Sequence, residues 1–434
     1  MTRGSRAAAQ PGAGPQQRLT GPDQEAAAAA QVPRLAKSGD WPAIRGLLAD
    51  AFLAGDDFAA GEQDIFEPAR SLVIRSGDAL VAHAGAYTRE LAVPGATLPA
   101  AHLALVAVAP TSRRAGLLSR LMRHQLTEIR AARQEPVAVG WASQHRIYTR
   151  FGYGLAASRL NVSADLAQLR LLEPAPPGEY RLREAEPEKA MPAIQAVYAQ
   201  VWAVSPGWSS RTPSWWRRVI ADPADRRYGA AALRALIAEG PAGAEGYALW
   251  RARGDWNDAG PAGTVEVQEL IAGSPAAAQA LWRFLLTMDL ATQLRYPLAA
   301  ADDPLLHLVD EPRQLRATMA DGLVVRLTDL PAALAGRRYL VPIDVILEVT
   351  DPLLPDNSGT WRLRGGPAGA DCERTSARPD LSLGIDALGA VYLGGTSLRT
   401  LHMAGRAQEL RAGALEVASH AFSWYCQPSA PDMF

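Results

Sequence analysis

The sequence predicts two α/β domains of the same fold, followed by one α+β domain. Three observations point to this fold class. The chain has 434 residues, which at about 150 residues per domain suggests about three domains. Over residues 34–173 the apolar pattern predicts a helix, a hairpin and then alternating strands and helices, and part of this order recurs over residues 178–305. Over residues 318–434 the pattern changes to strands followed by helices.

Residues 1–33 are expected to form a disordered tail, because they consist mainly of Ala, Gly, Pro and Gln without an apolar period. The first domain then begins with an amphipathic helix, for which Asp40 is the expected cap. A turn at residues 76–78 joins two strands into a hairpin. The expected elements of this domain are, in order, the helix after Asp40, strands at 71–75, 79–91 and 102–108, a helix at 116–130, a strand at 136–141, a short helix near 147–151 and a strand at 155–162.

A proline-rich linker at residues 174–178 separates the first domain from the second. One helix of the second domain has a strong start signal, because Ser274 can cap it and Pro275 fits its first turn. The other expected elements of the second domain are strands at 180–183, 246–251 and 264–271 and a helix at 190–202. The expected elements of the third domain are strands at 323–327, 339–349 and 359–363 and helices at 386–393, 397–401 and 413–422.

Composition excludes several classes of protein. With 48% hydrophobic and 21% charged residues, the chain can form packed cores. Lys and Arg total 44 against 45 Asp and Glu, so the positive excess of a non-specific nucleic-acid binder is missing and no nucleic-acid partner is expected. Two cysteines, Cys372 and Cys426, are too few for a disulfide framework, and no His/Cys spacing predicts a metal site. No apolar run reaches the roughly 18 to 20 residues that cross a bilayer, so we expect a cytoplasmic protein without a membrane segment.

The most informative segment covers residues 105–118, where a buried strand ends, a short loop follows and a helix begins. The first turn of a helix has unpaired amides and a partial positive charge, so it can bind a pyrophosphate. Gly116 would let a phosphate approach the backbone, and Arg113 and Arg114 could add charge-assisted hydrogen bonds. The alternative interpretation is a purely structural turn between strand and helix.

This order of strand, Arg-x-x-Gly and helix resembles the acetyl-CoA-binding segment of the GNAT (Gcn5-related) N-acetyltransferases. The resemblance is closer to the Eis (enhanced intracellular survival) family, whose hallmark sequences look like VAVAP at 106–110, RRAGLL at 113–118 and IYTRFGYG at 147–154. It covers nearly the whole chain after the tail. It implies tandem GNAT-like domains, a sterol-carrier-protein-like C-terminal domain and a homo-oligomer, which is a hexamer in that family.

The resemblance also implies the activity and the site. It implies an N-acetyltransferase that uses acetyl-CoA, needs no metal and acts on primary amines of small molecules or peptides. The backbone amide of Val106 is implied to polarise the thioester carbonyl, and Tyr148 to be the general acid, since a phenol with a usual pKa of about 10 is protonated at neutral pH. Tyr153 is the nearest alternative acid, and core packing is the simpler interpretation of Tyr148 without the resemblance. The implied acetyl-CoA-binding residues are Val106, Val108, Arg113, Arg114, Gly116 and Leu117.

The general base implied by the resemblance is the C-terminal carboxylate of Phe434. An ordinary C-terminus frays, but the last stretch of this chain is unusually aromatic. Met433 stands where an acidic residue would be more typical of the family, so we expect a less negative pocket on that side. The implied wall for polycationic amines, such as aminoglycosides or lysine side chains, consists of Phe52, Asp56, Asp57, Phe58 and Phe66. The alternative is core packing for the phenylalanines and a solvated loop for the aspartates.

The second domain lacks an arginine pair between its strand and the helix after Pro275, so we interpret it as a structural copy that helps to build the cleft and the oligomer. A nucleic-acid stacking surface could be formed by Trp208, Trp215 and Trp216 with Arg217 and Arg218. Since the chain has no wider basic excess, we interpret these residues as packing or oligomer-interface residues. A competing function is a carrier of lipids or other hydrophobic ligands, with the GNAT-like halves as scaffold. In that case apolar residues of the third domain would line a tunnel instead of filling a core; the candidates are Val345, Ile346, Leu393 and Leu401.

Overall fold

The computed structural model describes residues 31–55, 59–142, 144–172 and 180–434. The expected tail, except residues 31–33, and the expected linker lie outside these residues. Helices in the first part of the described chain are α1 (Trp41–Phe52), α2 (Leu117–Ala132) and α3 (His145–Thr149). Strands in this part are β1 (Arg34–Leu35), β2 (Leu72–Ser76), β3 (Ala79–Val93), β4 (Ala96–Val108), β5 (Val137–Trp141), β6 (Gly154–Leu155) and β7 (Ser158–Asp165).

The middle of the chain begins after the linker. Its helices are α4 (Pro187–Val201), α5 (Pro213–Ile220), α6 (Pro275–Leu286) and α7 (Leu305–Leu308). Its strands are β8 (Arg181–Ala185), β9 (Arg234–Gly240), β10 (Gly243–Arg253), β11 (Trp256–Asn257), β12 (Gly260–Pro261), β13 (Gly263–Ala272), β14 (Ala291–Ala300) and β15 (Thr318–Asp321).

The last part of the chain combines strands and short helices. Its helices are α8 (Leu330–Gly336), α9 (Ile385–Val391), α10 (Leu398–Met403) and α11 (Ala414–Phe422). Its strands are β16 (Leu323–Leu327), β17 (Ile343–Thr350), β18 (Gly359–Gly366), β19 (Gly369–Arg374), β20 (Leu381–Gly384) and β21 (Ala407–Glu409).

Two sheets have the same topology. The first has the order β1-β2-β3-β4-β5-β16-β6, and the second has the order β8-β9-β10-β13-β14-β7-β15. In each sheet the fourth and fifth strands pair in parallel, β4 with β5 and β13 with β14, whereas the other neighbours are antiparallel. The expected recurrence of one fold is therefore confirmed.

The two sheets exchange their sixth strands. We expected β7 in the first domain, but it pairs with β14 and β15 in the second sheet. We expected β16 in the third domain, but it lies between β5 and β6 in the first sheet. All five residues of β16 are buried, as its apolar sequence predicts. An apolar sequence does not indicate which strands lie beside it in the sheet. The sheets therefore do not divide at the expected boundaries near residues 173 and 318.

The helix starts follow the sequence signals in part. The Ser274 hydroxyl accepts a hydrogen bond from the amide of Ala277, as a capping serine does. The Asp40 carboxylate makes no capping bond to α1 and instead accepts from the amide of Lys37 and from the guanidinium of Arg75. The expected cap is therefore wrong for Asp40, although the helix itself is confirmed.

A third sheet, in the order β19-β18-β17-β20-β21, packs with α8 to α11 in the C-terminal domain. Its interior contains the fully buried Arg337, which donates to backbone carbonyls of Tyr392 and Phe422. The Arg337 guanidinium also lies 4.8 Å from the ring centre of Tyr339. Of the four candidates for a tunnel lining, three belong to the buried core cluster, namely Val345, Leu393 and Leu401, and Ile346 is half-buried. The placement of these three buried residues is that of core residues.

Candidate active site

Two cavities meet where β4 leaves β5. One, of about 790 Å³, is lined by the end of β4, the start of α2 and the helix α3. The other, of about 1050 Å³, lies between the first sheet and residues of the second domain, and it reaches the C-terminus. Phe52, Val106 and Tyr148 line both cavities. A molecule in one cavity can therefore meet a molecule in the other at these residues.

An irregularity in β4 creates this junction. The β4 and β5 ladder ends at the pair Leu103 and Gly140, whereas β4 continues to Val108. On the other side, the register with β3 passes from Ala104 directly to Ala107, so Leu105 and Val106 form a bulge. Leu105 has a φ of 55°, which is unusual for a residue other than glycine. The kink turns the strand away from β5 and opens the sheet.

His83 holds the bulge from the neighbouring strand. Its Nδ1 lies 2.7 Å from the carbonyl oxygen of Leu105. Burial lowers the pKa of His83 to about 4, so the ring is neutral at neutral pH and Nδ1–H is the donor. The role of this residue was not predicted from the sequence, although a histidine within the otherwise apolar run 79–86 was the available signal.

The expected phosphate-binding segment lines the smaller cavity. Gly116 has a φ of 78°, and a Cβ placed there would meet no other atom within 4 Å, so open space lies in front of its backbone. The exposed Arg114 also has a positive φ, of 66°, and Arg113 donates to the carbonyl of Ala51 over 2.9 Å. Leu117 is buried, so it can offer a ligand only its backbone. The open space, the two guanidinium groups and the start of a long helix fit a diphosphate.

Tyr148 and Tyr153 differ in their access to the cavities. Tyr148 is half-buried and lines both, and burial raises the pKa of its phenol. Tyr153 is fully buried, lines neither cavity, and its hydroxyl has no hydrogen-bond partner among the described residues. The two rings are in edge contact, with centres 5.8 Å apart. Tyr148 therefore has the better position for an acid.

The C-terminus reaches the larger cavity. Phe434 and Met433 both line it, and the centre of the Phe434 ring lies 4.8 Å from that of the buried His102. The guanidinium of Arg218 donates to the carbonyl of Met433 over 2.9 Å. The end of the chain is thus packed against both the first sheet and α5.

The expected substrate residues are placed unequally. Phe52 lies at the cavity junction. Phe66 lines neither cavity and packs on Trp41, with ring centres 4.8 Å apart. Asp56, Asp57 and Phe58 lie outside the described residues.

The larger cavity has mixed charge along its described walls. Acidic lining residues are Glu62, Asp225 and Asp321, and basic ones are Arg159, Arg218 and Arg226. Glu62 is paired with Arg218 at 2.6 Å, and Arg159 donates to the backbone carbonyl of Asp321. This set of charged residues was not predicted from the sequence, because most of its members come from outside the first domain. The available signal was the arginine pair after Trp216, which we interpreted as packing or oligomer-interface residues.

Within the described ranges, no group of three or more His, Cys, Asp and Glu side chains is arranged to hold a metal ion. The same part of the chain contains no helix that is long and apolar enough to span a membrane. Cys372 and Cys426 are free thiols.

Comparison with known families agrees with two similar sheets and a third domain. Residues 32–156 match a family model described as an acetyltransferase (GNAT) domain, and residues 207–327 match another model of the same description. Residues 330–431 match a sterol carrier protein domain. The second match ends at the last residue of β16, which belongs to the first sheet.

Relatives cover almost the whole chain. A Streptomyces avermitilis protein named an uncharacterized N-acetyltransferase is 42% identical over 92% of this chain and 99% of its own length. N-acetyltransferase Eis of Mycobacterium bovis is 32% identical over 88% of this chain and 94% of its own length. The crystal structure of Eis1 from Mycobacterium abscessus has 32% identity and a TM-score of 0.76, covering 93% of this chain and 100% of that one. The chain therefore belongs to the Eis family of GNAT N-acetyltransferases and is an acyltransferase.

Proposed function

We propose that this enzyme transfers the acetyl group of acetyl-CoA to a primary amine at the junction of the two cavities. The observation that carries the proposal is that Val106 and Tyr148 line both cavities. One of these cavities contains the Gly116 phosphate-binding segment, and the other contains the C-terminal Phe434. Acetyl-CoA would occupy the smaller cavity, through the backbone of Val106 to Val108 and Leu117, the guanidinium groups of Arg113 and Arg114, and the space at Gly116.

We assign one group of the protein to each chemical step. The amine nitrogen attacks the thioester carbon, and the Val106 amide would donate a hydrogen bond to the carbonyl oxygen as negative charge develops there. The carbon–sulfur bond breaks, and Tyr148, which burial keeps protonated, gives its proton to the departing sulfur. The Phe434 carboxylate accepts the proton that the amine loses, directly or through water. The products are the N-acetylated amine and CoA with a free thiol.

The size of the larger cavity favours large amines as substrates. Its volume of about 1050 Å³ exceeds what a single amino group needs. The carboxylates of Asp225, Asp321 and the C-terminus would attract cationic amines, which include aminoglycoside-like polyamines and lysine side chains. The arginines of the same cavity make its lining less acidic than the wall of phenylalanines and aspartates that the sequence predicted.

The test is a panel of amines assayed for thiol release in the presence of acetyl-CoA. The panel would include aminoglycosides, linear polyamines and lysine-containing peptides, and mass spectrometry would identify the acetylated products. We expect at least one class to give amine-dependent thiol release. Calorimetry of acetyl-CoA binding is the parallel measurement. Absence of acetyl-CoA binding would contradict the proposal regardless of the amine chosen.

A further inference from the structure

The second sheet opens in the same way as the first. Its parallel strands pair only from Gly263 to Glu266 on β13, opposite the start of β14, although both strands continue further. A cavity of about 280 Å³ lies at this opening, between the ends of β13 and β14 and the helix α6. In the first sheet the corresponding opening is the proposed acetyl-CoA site. Here it contains no arginine pair, so its role differs.

The C-terminal segment enters this opening. Ser429 and Pro431 border the cavity. The indole nitrogen of Trp208 donates to the Ser429 hydroxyl over 3.0 Å, and the Ser429 amide donates to the carbonyl of Pro206 over 3.1 Å. Gly207 has a φ of 95°, and a Cβ there would lie 2.3 Å from the Ser429 carbonyl oxygen. Only glycine therefore permits this close approach.

Buried charges fix the next part of the segment. The Asp432 carboxylate lies 3.4 Å from a guanidinium nitrogen of Arg89 on β3 and 3.2 Å from one of Arg211, which precedes α5. Both arginine side chains are fully buried and that of Asp432 is 11% exposed. Arg211 also donates to Glu269 on β13. Burial alone raises the pKa of a carboxyl, but the guanidinium charges of Arg89, Arg211 and Arg218 lower the pKa of Asp432 to about 2. The carboxylate is thus charged throughout the working pH range.

We infer that the opening of the second sheet is a seat for residues 429–432, and that Asp432 is a positioning residue that holds the Phe434 carboxylate in the catalytic cavity. The inference rests on the proposed role of Phe434. Asp432 binds both halves of the cleft, through Arg89 and Arg211, two residues before the chain ends. The second domain, which lacks a phosphate-binding arginine pair, thereby contributes to catalysis by placing the base.

The test compares Asp432→Asn with the unchanged protein. The asparagine keeps the shape of the side chain but removes the charge that Arg89 and Arg211 share. We expect kcat to fall by about 10²-fold, as for a displaced catalytic group, while the dissociation constant for acetyl-CoA stays unchanged. Amide hydrogen exchange of residues 429–434 should become faster. Asp432→Glu, which retains the charge, should recover most of the turnover.

A second comparison separates positioning from stability. In a protein with a short C-terminal extension, in which a peptide bond replaces the Phe434 carboxylate, adding Asp432→Asn should cause no further loss of turnover, because both changes act on the same carboxylate. Asp344→Asn, which removes an exposed ion pair with Arg362, is the matched control and should change neither turnover nor exchange. Equal losses with and without the extension, or unchanged exchange of residues 429–434, would overturn the inference. If the unchanged protein acetylates no amine, the proposed function fails, while the exchange measurement still tests the seat.

Discussion

At the scale of single residues, the position of Tyr148 leads to a direct test of the acid. Tyr148→Phe retains the ring contact with Tyr153 and removes only the hydroxyl. We expect kcat to fall roughly 10²–10⁴-fold, the usual contribution of a general acid, with little change in melting temperature. Tyr153→Phe is the matched control, since that hydroxyl lines neither cavity, and it should leave kcat unchanged. The opposite pattern would make Tyr153 the acid.

The raised pKa of Tyr148 also predicts the pH dependence of turnover. Burial favours the neutral phenol, so the acid stays protonated beyond its usual pKa of about 10. The fraction of neutral amine grows with pH, so kcat/KM should rise steadily up to about pH 10. Steady-state kinetics across this pH range would measure the dependence of kcat/KM on pH. A fall in kcat/KM beginning near pH 8 that disappears in Tyr148→Phe would contradict it.

Two buried histidines predict how stability depends on pH. Burial lowers the pKa of His83 to about 4 and that of His102 to about 3, whereas unfolded histidine has a pKa of about 6.5. Between these values the unfolded state binds more protons, so stability is lost as pH falls below about 6.5. Denaturation midpoints at pH 7 and pH 5 should therefore differ less in His83→Gln than in the unchanged protein. Burial raises the pKa of Asp303 to about 6, so its contribution to stability falls as pH rises. This contribution is the same in both proteins and does not affect the comparison. Equal differences would show that His83 is not the cause.

The placement of candidate site residues was predictable from the sequence where it depends on one continuous segment. Gly116 and Tyr148 belong to short sequence motifs, and both line the smaller cavity. Arg218 and Asp225 reach the same cleft from another domain, and no local pattern indicates that approach. The bulge at Leu105 was also unpredictable, because it depends on a hydrogen bond to His83 on the neighbouring strand.

At the scale of elements, the start of α2 gives a test of the acetyl-CoA site. Gly116→Trp places a large side chain in the open space before the helix, so acetyl-CoA binding should fall below detection in calorimetry. The positive φ adds strain of about 1–2 kcal/mol. Gly77→Trp, at a positive φ in the β2–β3 turn and outside the lining of both cavities, is the control for that strain and should bind acetyl-CoA normally. Unchanged affinity in Gly116→Trp would place the site elsewhere.

Strands were predictable where their apolar pattern is regular. β5, β10 and β13 follow the expected ranges with shifts of at most three residues at their ends, whereas β4 begins at Ala96, six residues earlier than expected. β14 was not predicted, because Pro297 interrupts it, and the structure has an irregular register with β7 between Tyr296 and Ala299. The partners of β7 and β16 could not be predicted, since alternation within a strand specifies its buried face and not its neighbour.

At the scale of the whole molecule, catalysis should depend on the identity of the chain's end. A short C-terminal extension keeps the Phe434 side chain but replaces its carboxylate by a peptide bond, so turnover should fall by about 10²-fold or more. Acetyl-CoA binding should be unchanged, because its cavity does not include the terminus. An extension of equal length at the N-terminus is the control. Equal turnover in the two extended proteins would remove Phe434 as the base.

The exchange of β7 and β16 affects how the protein is made on the ribosome. β6 ends at Leu155, but the strand that separates it from β5 begins only at Leu323. At about 5–20 residues per second, synthesis of the intervening chain takes roughly 8–34 s. During this time the hydrogen-bonding edge of β5 has no partner, and such an edge is prone to pair with other chains. The nascent N-terminal half should therefore be a substrate for ribosome-associated chaperones until translation passes Leu327.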